Sequence, residues 1–244
     1  MDECSRAFTP AHGDQVKYVN DDLRCYCTAN KKDGKVAIIT GGGTGHLPLF
    51  LGYVGDGLLE RLRVGGVFQS PSAEQIYNVS KEVEAGAGIL YLYGNYTGDI
   101  MNFDMAAEMC EMDDIETRSI VGADDVNSNA DPAVRRGVAG IFFMYKCAGA
   151  KAAKGGTLDE VLAAAQKAKD NTRTVGFALT PCIIPRWAIP TSPWARTRWP
   201  WAWASTANPA CGTAPSRPPT SWPRNPWTPC WATCPWRRAR KCAC

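Results

Sequence analysis

The sequence predicts an α/β fold: a mostly parallel or mixed sheet with helices on both faces. Three observations carry that prediction. Short apolar runs end at glycines or polar turns, as buried strands do where they lead into loops. Segments of roughly 10–20 residues with helical spacing separate those runs. Two helix-start signals, Ser70-Pro71-Ser72 and Thr157-x-x-Glu160, fall between predicted strands.

The elements follow in order. Lys35–Thr40 (KVAIIT) is an apolar run entering three glycines and predicts a buried strand. Arg63–Phe68 is a weaker strand. Ala73–Glu84 carries Ile76, Val79 and Val83 at helical spacing behind the Ser-Pro-Ser start. Gly88–Tyr93 (GILYLY) predicts a second clear strand. Phe103–Met112 predicts a helix with Met105, Met109 and Met112 in the core. Arg118–Val121 predicts a third strand ending in Gly-Ala-Asp-Asp, where Asp124 and Asp125 read as turn or cap residues. Val134–Ala153 predicts a long helix with Val138, Ile141, Phe142 and Tyr145 on one face. The capping box at Thr157 opens a helix to about Asp170, and Thr174–Thr180 predicts a fourth strand.

Composition divides the chain at residue 185. Of the 244 residues, the first 185 hold all 24 acidic and 18 of the 27 basic residues, a net of −6; residues 186–244 hold nine basic residues and no acidic one. The overall charge of +3 therefore gives no support to nucleic-acid binding, because the part with globular composition is acidic. No apolar run reaches the roughly 18 residues of a membrane span. The start MDECSRAFTPAHGD has neither a basic nor an apolar stretch, so no signal peptide is expected. Cys4, Cys25, Cys27, Cys110, Cys147 and Cys182 are scattered, which reads as reduced, cytoplasmic usage. With two His and no paired C-x-x-C, no metal site is predicted.

The tail, 186–244, holds all nine Trp and 11 of the 17 Pro, but no Leu, Val, Phe or Tyr. Frequent proline forbids regular helix there. A Trp/Pro-rich binding segment is one reading; a one-base frame slip near codon 186 is the other. Trp has the single codon TGG. Regrouping the codons of Trp199–Ala210 by one base permits Met-Ala-Met-Gly-Met-Gly-Ile-His-Gly-Glu-Pro-Gly, and Arg186–Pro190 permits Ala-Leu-Gly-His-Pro. Ordinary globular sequence emerges at both places. The expected organisation is one α/β unit over 12–185 and an aberrant tail over 186–244 that does not join its core.

Two segments carry candidate chemistry. Gly41-Gly42-Gly43-Thr44-Gly45-His46 follows the first strand; its glycines let backbone N–H groups approach a ligand, and His46 can move a proton. It is not a Walker loop, since no Gly-Lys-Ser/Thr follows. Gly94-Asn95-Tyr96-Thr97-Gly98-Asp99 follows GILYLY, and Asp99 is placed to hold a sugar hydroxyl or take its proton; helix capping is the alternative. Ser70-Pro71-Ser72 reads as a helix start whose loop faces the same cleft.

GGGTGHLPLFLGYVGDGLLE, VFQSPSAEQI, GILYLYGNYTGDIMNFDMAAEM, VGADDV, RRGVAGIFFMYKCAGA and DNTRTVGFAL, collinear over about residues 12–185, resemble the substrate-binding half of the dihydroxyacetone (glycerone) kinases. The resemblance implies a domain that binds a short-chain ketose such as dihydroxyacetone and usually dimerises. It implies no cofactor on this domain; ATP and Mg, or a phosphorylated transfer protein, act through a separate helical domain or subunit. No segment of this sequence resembles that helical half. Carried over residue by residue, Gly43, Thr44, Gly45 and His46 match the substrate loop, with His46 the acid/base. Asp99 matches the carboxylate that contacts and helps activate the ketose hydroxyl. Gly94 stands where well-known members have Lys, which suggests room for a larger ketose such as a tetrulose. The family also anchors its ketose on a His in a Gly-x-His-Gly context. The tail has no His, but the regrouped reading supplies one across Ser205 and Thr206. A kinase part that is inactive as written and a non-catalytic ketose-binding regulator both remain open.

Overall fold

The computed structural model describes residues 2–19, 22–30, 33–44, 46, 50–67, 69–176, 198–200 and 213–215. After helix α1 (Asp2–Ala11), strands β1 (Val16–Val19) and β2 (Asp22–Thr28) form an antiparallel pair. Strand β3 (Ala37–Thr44), strand β4 (Arg61–Val67), helix α2 (Ala73–Val83), strand β5 (Ile89–Gly94), helix α3 (Thr97–Glu111) and strand β6 (Thr117–Gly122) follow. Helices α4 (Ile141–Ala153) and α5 (Leu158–Asn171) complete the unit. The six strands make one sheet in the order β1-β2-β4-β3-β5-β6. The pairs β4–β3, β3–β5 and β5–β6 are parallel, while β1 and β2 join antiparallel, so the sheet is mixed.

Strand β5 explains the layers. All six of its residues are buried. The pleat sends Ile89, Tyr91 and Tyr93 to one face, where they pack with Ile76, Val79 and Val83 of α2 and Phe103 and Ala106 of α3. Leu90 and Leu92 go to the other face, against Met144, Tyr145 and Ala148 of α4 and Val161 and Ala165 of α5. Ile38 and Ile39 of β3 divide in the same way between the two cores. A strand buried on both faces reads as a continuous apolar run, which is why GILYLY is legible.

The two helix-start signals are realised. The Ser72 N–H donates to Gln75 Oε1 at the head of α2. The Thr157 N–H donates to Glu160 Oε2, while Glu160 N–H donates back to Thr157 Oγ1 at the head of α5.

Several expectations need correction. Strand β3 continues through the glycines rather than ending before a loop: Gly41 and Gly42 pair with Arg63 and Val64 of β4, and Gly43 lies within the strand at a register shift. Helix α3 begins at Thr97, six residues before the predicted start at Phe103. It buries Asp99, Phe103, Ala106 and Cys110. That puts Met105 and Met112 on the opposite face: Met105 is exposed and Met112 is 77% exposed, so neither is core. The long helix expected over Val134–Ala153 begins only at Ile141, after a 3-10 turn at Pro132–Val134. The residues between are committed elsewhere, because Val138 and Gly140 donate their N–H groups to Asp124 rather than to a helical ladder. Of the predicted strand Thr174–Thr180, Thr174 makes one parallel bridge to Asp125, and residues 177–180 lie outside the described residues.

Strands β1 and β2 had no sequence expectation. Their buried residues (Val16, Val19, Cys25, Tyr26 and Cys27) are interleaved with Lys17 and Arg24, which blurs the apolar pattern. Strand β4 reads weakly for a related reason. It buries Arg61 and Arg63, whose guanidinium groups donate to the Glu82 carbonyl and to Asp22 Oδ2 at 3.1 and 2.9 Å. In the tail, strands β7 (Arg198–Pro200) and β8 (Thr213–Pro215) pair antiparallel in a two-stranded sheet separate from the six-stranded one. Among the described residues no helix is long and apolar enough to cross a membrane.

Candidate active site

Chain connections leave β3 and β5 in opposite directions across the sheet. Strand β3 leads to β4 on one side, and β5 leads through α3 to β6 on the other. In open α/β sheets the crevice outside the carboxyl ends at such a reversal is where ligands bind. The segment Gly41–His46 ends β3 there, and Gly94–Asp99 ends β5 there.

On the β3 side, the ladder to β4 shifts register between Gly42 and Thr44, so Gly43 lies at the irregularity. A Cβ on Gly42 would sit 2.7 Å from the Phe50 ring, so only glycine admits that ring against the strand. Thr44 closes β3, and Gly45 lies outside the described residues. The His46 ring stands edge-on to Phe50, with centroids 6.3 Å apart. Burial pushes the His46 pKa below the ordinary value for histidine, so the imidazole is neutral near pH 7 and able to accept a proton.

On the β5 side, Asp99 occupies the first turn of α3 and is 6% exposed. Burial raises its pKa to about 6, against an opposing hydrogen bond from the Ser70 side chain. Desolvation therefore outweighs both that bond and the positive end of the helix dipole, which favour the charged form. Asp99 Oδ1 is buried with no hydrogen-bond partner among the described residues. A buried carboxyl with one open oxygen and a pKa near neutrality has the properties of a general acid or base. The neighbouring Tyr93 ring stacks on Phe103 at a 4.2 Å centroid distance, and its hydroxyl is pushed up to about 12, chiefly by burial.

The Ser70-Pro71-Ser72 segment touches both sides. A Cβ on Gly41 would lie 3.0 Å from Pro71 Cγ, and one on Gly98 would lie 2.8 Å from Ser70 Oγ. The segment is a helix start, as its sequence predicts, and it also packs against both candidate segments. The closeness of Ser70 to the first turn of α3 is not legible in sequence; the available signal is that Ser70 precedes a capped helix feeding the same edge.

The loop between β6 and α4 braces the β5 side. Asn95 Nδ2 donates to the Ala133 and Arg135 carbonyls at 2.9 and 2.8 Å. The Tyr96 hydroxyl donates to the Gly137 carbonyl at 2.9 Å. A Cβ on Gly94 would meet the Tyr96 ring at 3.0 Å and the Gly137 carbonyl at 3.3 Å. The space freed by glycine at 94 is thus bounded by Tyr96 rather than left open.

Comparison with known proteins identifies the family. The Dak1 domain family model matches residues 6–198. The chain is 43% identical over 186 residues to the dihydroxyacetone-binding subunit DhaK of a PTS-dependent dihydroxyacetone kinase of Listeria innocua serovar 6a, covering 76% of this chain and 56% of that protein. It is 42% identical over 156 residues to a D-erythrulose kinase of Mycolicibacterium smegmatis, covering 63% of this chain and 27% of that one. The chain thus spans little more than half the length of the DhaK relative. The dihydroxyacetone kinase of C. freundii, solved in complex with AMP-PNP and Mg2+, superposes with a TM-score of 0.79 at 28% identity, over 86% of this chain and 40% of that one. With the domain match covering most of the sequence and the same fold in a solved relative, the chain belongs to the Dak1 domain family.

Proposed function

We infer that the chain is the substrate-binding part of a ketose kinase, which presents a primary hydroxyl of a short-chain ketose for phosphoryl transfer. The observation that carries this reading is Asp99: a buried carboxyl at the reversal point of the sheet, with Oδ1 unpartnered among the described residues. In this reading Oδ1 accepts the hydrogen of the ketose hydroxyl and takes the proton as the oxygen attacks the phosphoryl group. His46, neutral near pH 7, serves as the second acid/base. Gly43, Thr44 and Gly45 offer backbone groups to the ketose. ATP and Mg belong to a separate helical domain or subunit. The C. freundii kinase supports that division, since this chain covers only 40% of that longer enzyme, which was solved with AMP-PNP and Mg2+. A homodimer and a cytoplasmic setting complete the reading.

Both three-carbon and four-carbon ketoses are candidate substrates, since the matched proteins are named for dihydroxyacetone and for erythrulose. Residues 12–185 form the ketose-binding unit, and 186–244 is a frame-shifted tail. The abrupt change of composition after 185 and the separate pairing of β7 with β8 support that division.

A coupled assay with a helical nucleotide-binding subunit, ATP and Mg tests the proposal, using this chain and a version restored to the shifted frame after Pro185. The restored chain is expected to phosphorylate dihydroxyacetone or erythrulose, and the chain as written is not. No turnover by the restored chain, with ATP or with a phosphorylated transfer protein as donor, removes the kinase reading. Robust turnover by the chain as written, or an adduct trapped on it by borohydride, removes the frame-shift reading.

A further inference from the structure

We propose a second binding site, at the end of the sheet where the parallel strands begin, in which Arg61 and Lys17 hold a small oxyanion such as inorganic phosphate or the carboxylate of a small acid. The site is remote from the candidate active site. Arg61 opens β4, Ala37 opens β3 and Val83 closes α2, and all three line one cleft. The candidate active-site segments lie at the opposite end of β3, roughly 20 Å along the strand. Strand register builds the cleft. Lys17 of β1 stands opposite Cys27 of β2, and Cys27 stands opposite Arg61 of β4. Residues opposite one another on paired strands share a face, so both cations lie in one row with the short Cys27 side chain between them. Two strand spacings separate their backbones by about 10 Å. Lys17, Thr28, Asn30 and Arg61 line the cleft, which has room of about 40 Å³. That suits a few waters or one small ion and is too little for a nucleotide.

Arg61 supplies the reason to expect a ligand. Among the described residues Arg61, Arg63 and Arg136 are the buried arginines, and Arg61 is 2% exposed. Arg63 pairs with Asp22 and Arg136 with Asp125, each at 2.9 Å. Arg61 has no such counter-charge among the described residues. Its Nη2 donates to the Glu82 carbonyl at 3.1 Å, and its Nε and Nη1 have no partner among the described residues. Burial lowers its pKa from the ordinary arginine value, against weaker opposing pulls from Cys27 and Glu82. A buried guanidinium is costly unless its charge and its N–H groups are matched, and an oxyanion matches both. The neighbouring Lys35 is already committed, because it pairs with Glu60, whose other oxygen accepts from the Ile38 N–H at 2.9 Å. Both open nitrogens of Arg61 are screened from solvent, so bulk water does not replace the missing acceptor. Entry of an anion therefore entails a shift of the flexible lysine side chains in the lining.

Nitrogen-15 NMR of the arginine Nε–H groups in the full chain tests the site, with signals assigned by through-bond connectivity. Inorganic phosphate is titrated in while chloride holds the ionic strength constant. The Arg61 signal is expected to move and saturate at millimolar phosphate, and the signal of the exposed Arg118 is not. A parallel titration with acetate separates the two ligand sources. Saturation by both ions assigns the site to oxyanions in general, and saturation by phosphate alone narrows it to phosphate; either upholds the proposal. No movement of the Arg61 signal overturns it, as does an unsaturating drift shared with Arg118. Phosphate is also expected to raise the thermal unfolding midpoint of the wild-type chain, and Arg61→Met to abolish that rise. This variant replaces an unmatched charge by an apolar side chain, so it is expected to fold. A rise in Arg61→Met equal to that of the wild type overturns the proposal. If the variant does not fold, Lys17→Met at the exposed end of the row decides. A weakened phosphate titration of the Arg61 signal there upholds the site, and an unchanged one overturns it.

Discussion

Asp99 and the pair Asp124–Asp125 lie near the same edge of the sheet, beyond adjacent strands, and all three are buried. Their surroundings differ. Asp124 Oδ1 accepts from Val138 N–H and Oδ2 from Gly140 N–H, at 2.9 and 2.8 Å. Asp125 Oδ1 accepts from Asn127 N–H, and Oδ2 accepts two bonds from the Arg136 guanidinium. Every oxygen of that pair is matched to a donor within the fold. Asp99 has a hydroxyl donor and an oxygen without one among the described residues. Burial with full satisfaction holds a loop in place; burial with one open acceptor stores an electrostatic cost that a ligand can relieve. The contrast marks Asp124 and Asp125 as architectural and is the basis for the role proposed for Asp99.

The largest expected effect falls on the open carboxylate. In a frame-restored protein, Asp99→Ala and His46→Ala are each expected to lower ketose phosphorylation by about 10²–10⁴-fold. Steady-state kinetics within a few-fold of wild type for both would erase the distinction. The satisfied pair predicts damage to stability instead. Asp125→Ala leaves the buried Arg136 uncompensated and is expected to cost about 3–5 kcal/mol in a urea unfolding experiment.

Asp99 predicts the reverse sign. Its pKa is raised from 3.8 to about 6 on folding, so the folded chain binds more protons than the unfolded chain between those values. Stability associated with this group is therefore fully present below about pH 4 and is lost as pH rises through about 6. Asp99→Asn keeps the group neutral, and is expected to add up to about 3 kcal/mol above pH 7 and nothing near pH 4. Unfolding curves at the two pH values check the difference; equal effects at both would contradict the raised pKa.

The smallest effect concerns Gly140. A Cβ there would stand 2.5 Å from Asp124 Oδ2 and 2.6 Å from Thr172 Cγ2. Gly140→Ala is expected to cost about 1–3 kcal/mol by disturbing the carboxylate that caps the loop. Thermal unfolding measures it, and a neutral result would mean that the Asp124 arrangement is looser than its hydrogen bonds indicate.

The parallel half of the fold was legible where one-dimensional patterns carry the physics. GILYLY is apolar throughout because helices cover both faces of β5, and the capping boxes are local in sequence. Patterns failed where tertiary contacts override them. Met105 and Met112 look like core residues by type, but the turn occupied by Asp99 and Phe103 fixes which side of α3 faces the sheet. Val134–Ala139 has apolar residues at helical spacing, yet the Val138 N–H is taken by Asp124, the Arg136 N–H by Ser128 Oγ, and Gly137 packs closely against the ends of β5 and β6.

The sequence by itself determined the alternation of strands and helices, the two glycine-bearing segments with His46 and Asp99, and the break in composition after residue 185. These are set by side-chain polarity, backbone freedom and residue counts, all of which are written along one dimension. Only the tertiary structure decided that the two segments end on either side of one reversal point, that Ser70 stands against Gly98 in the first turn of α3, and that Tyr96 bounds the space beside Gly94. Each of those facts depends on distances between residues far apart in the chain, and on which oxygen of a buried carboxyl finds a donor. Strand order and packing fix such distances; local propensity carries no information about them.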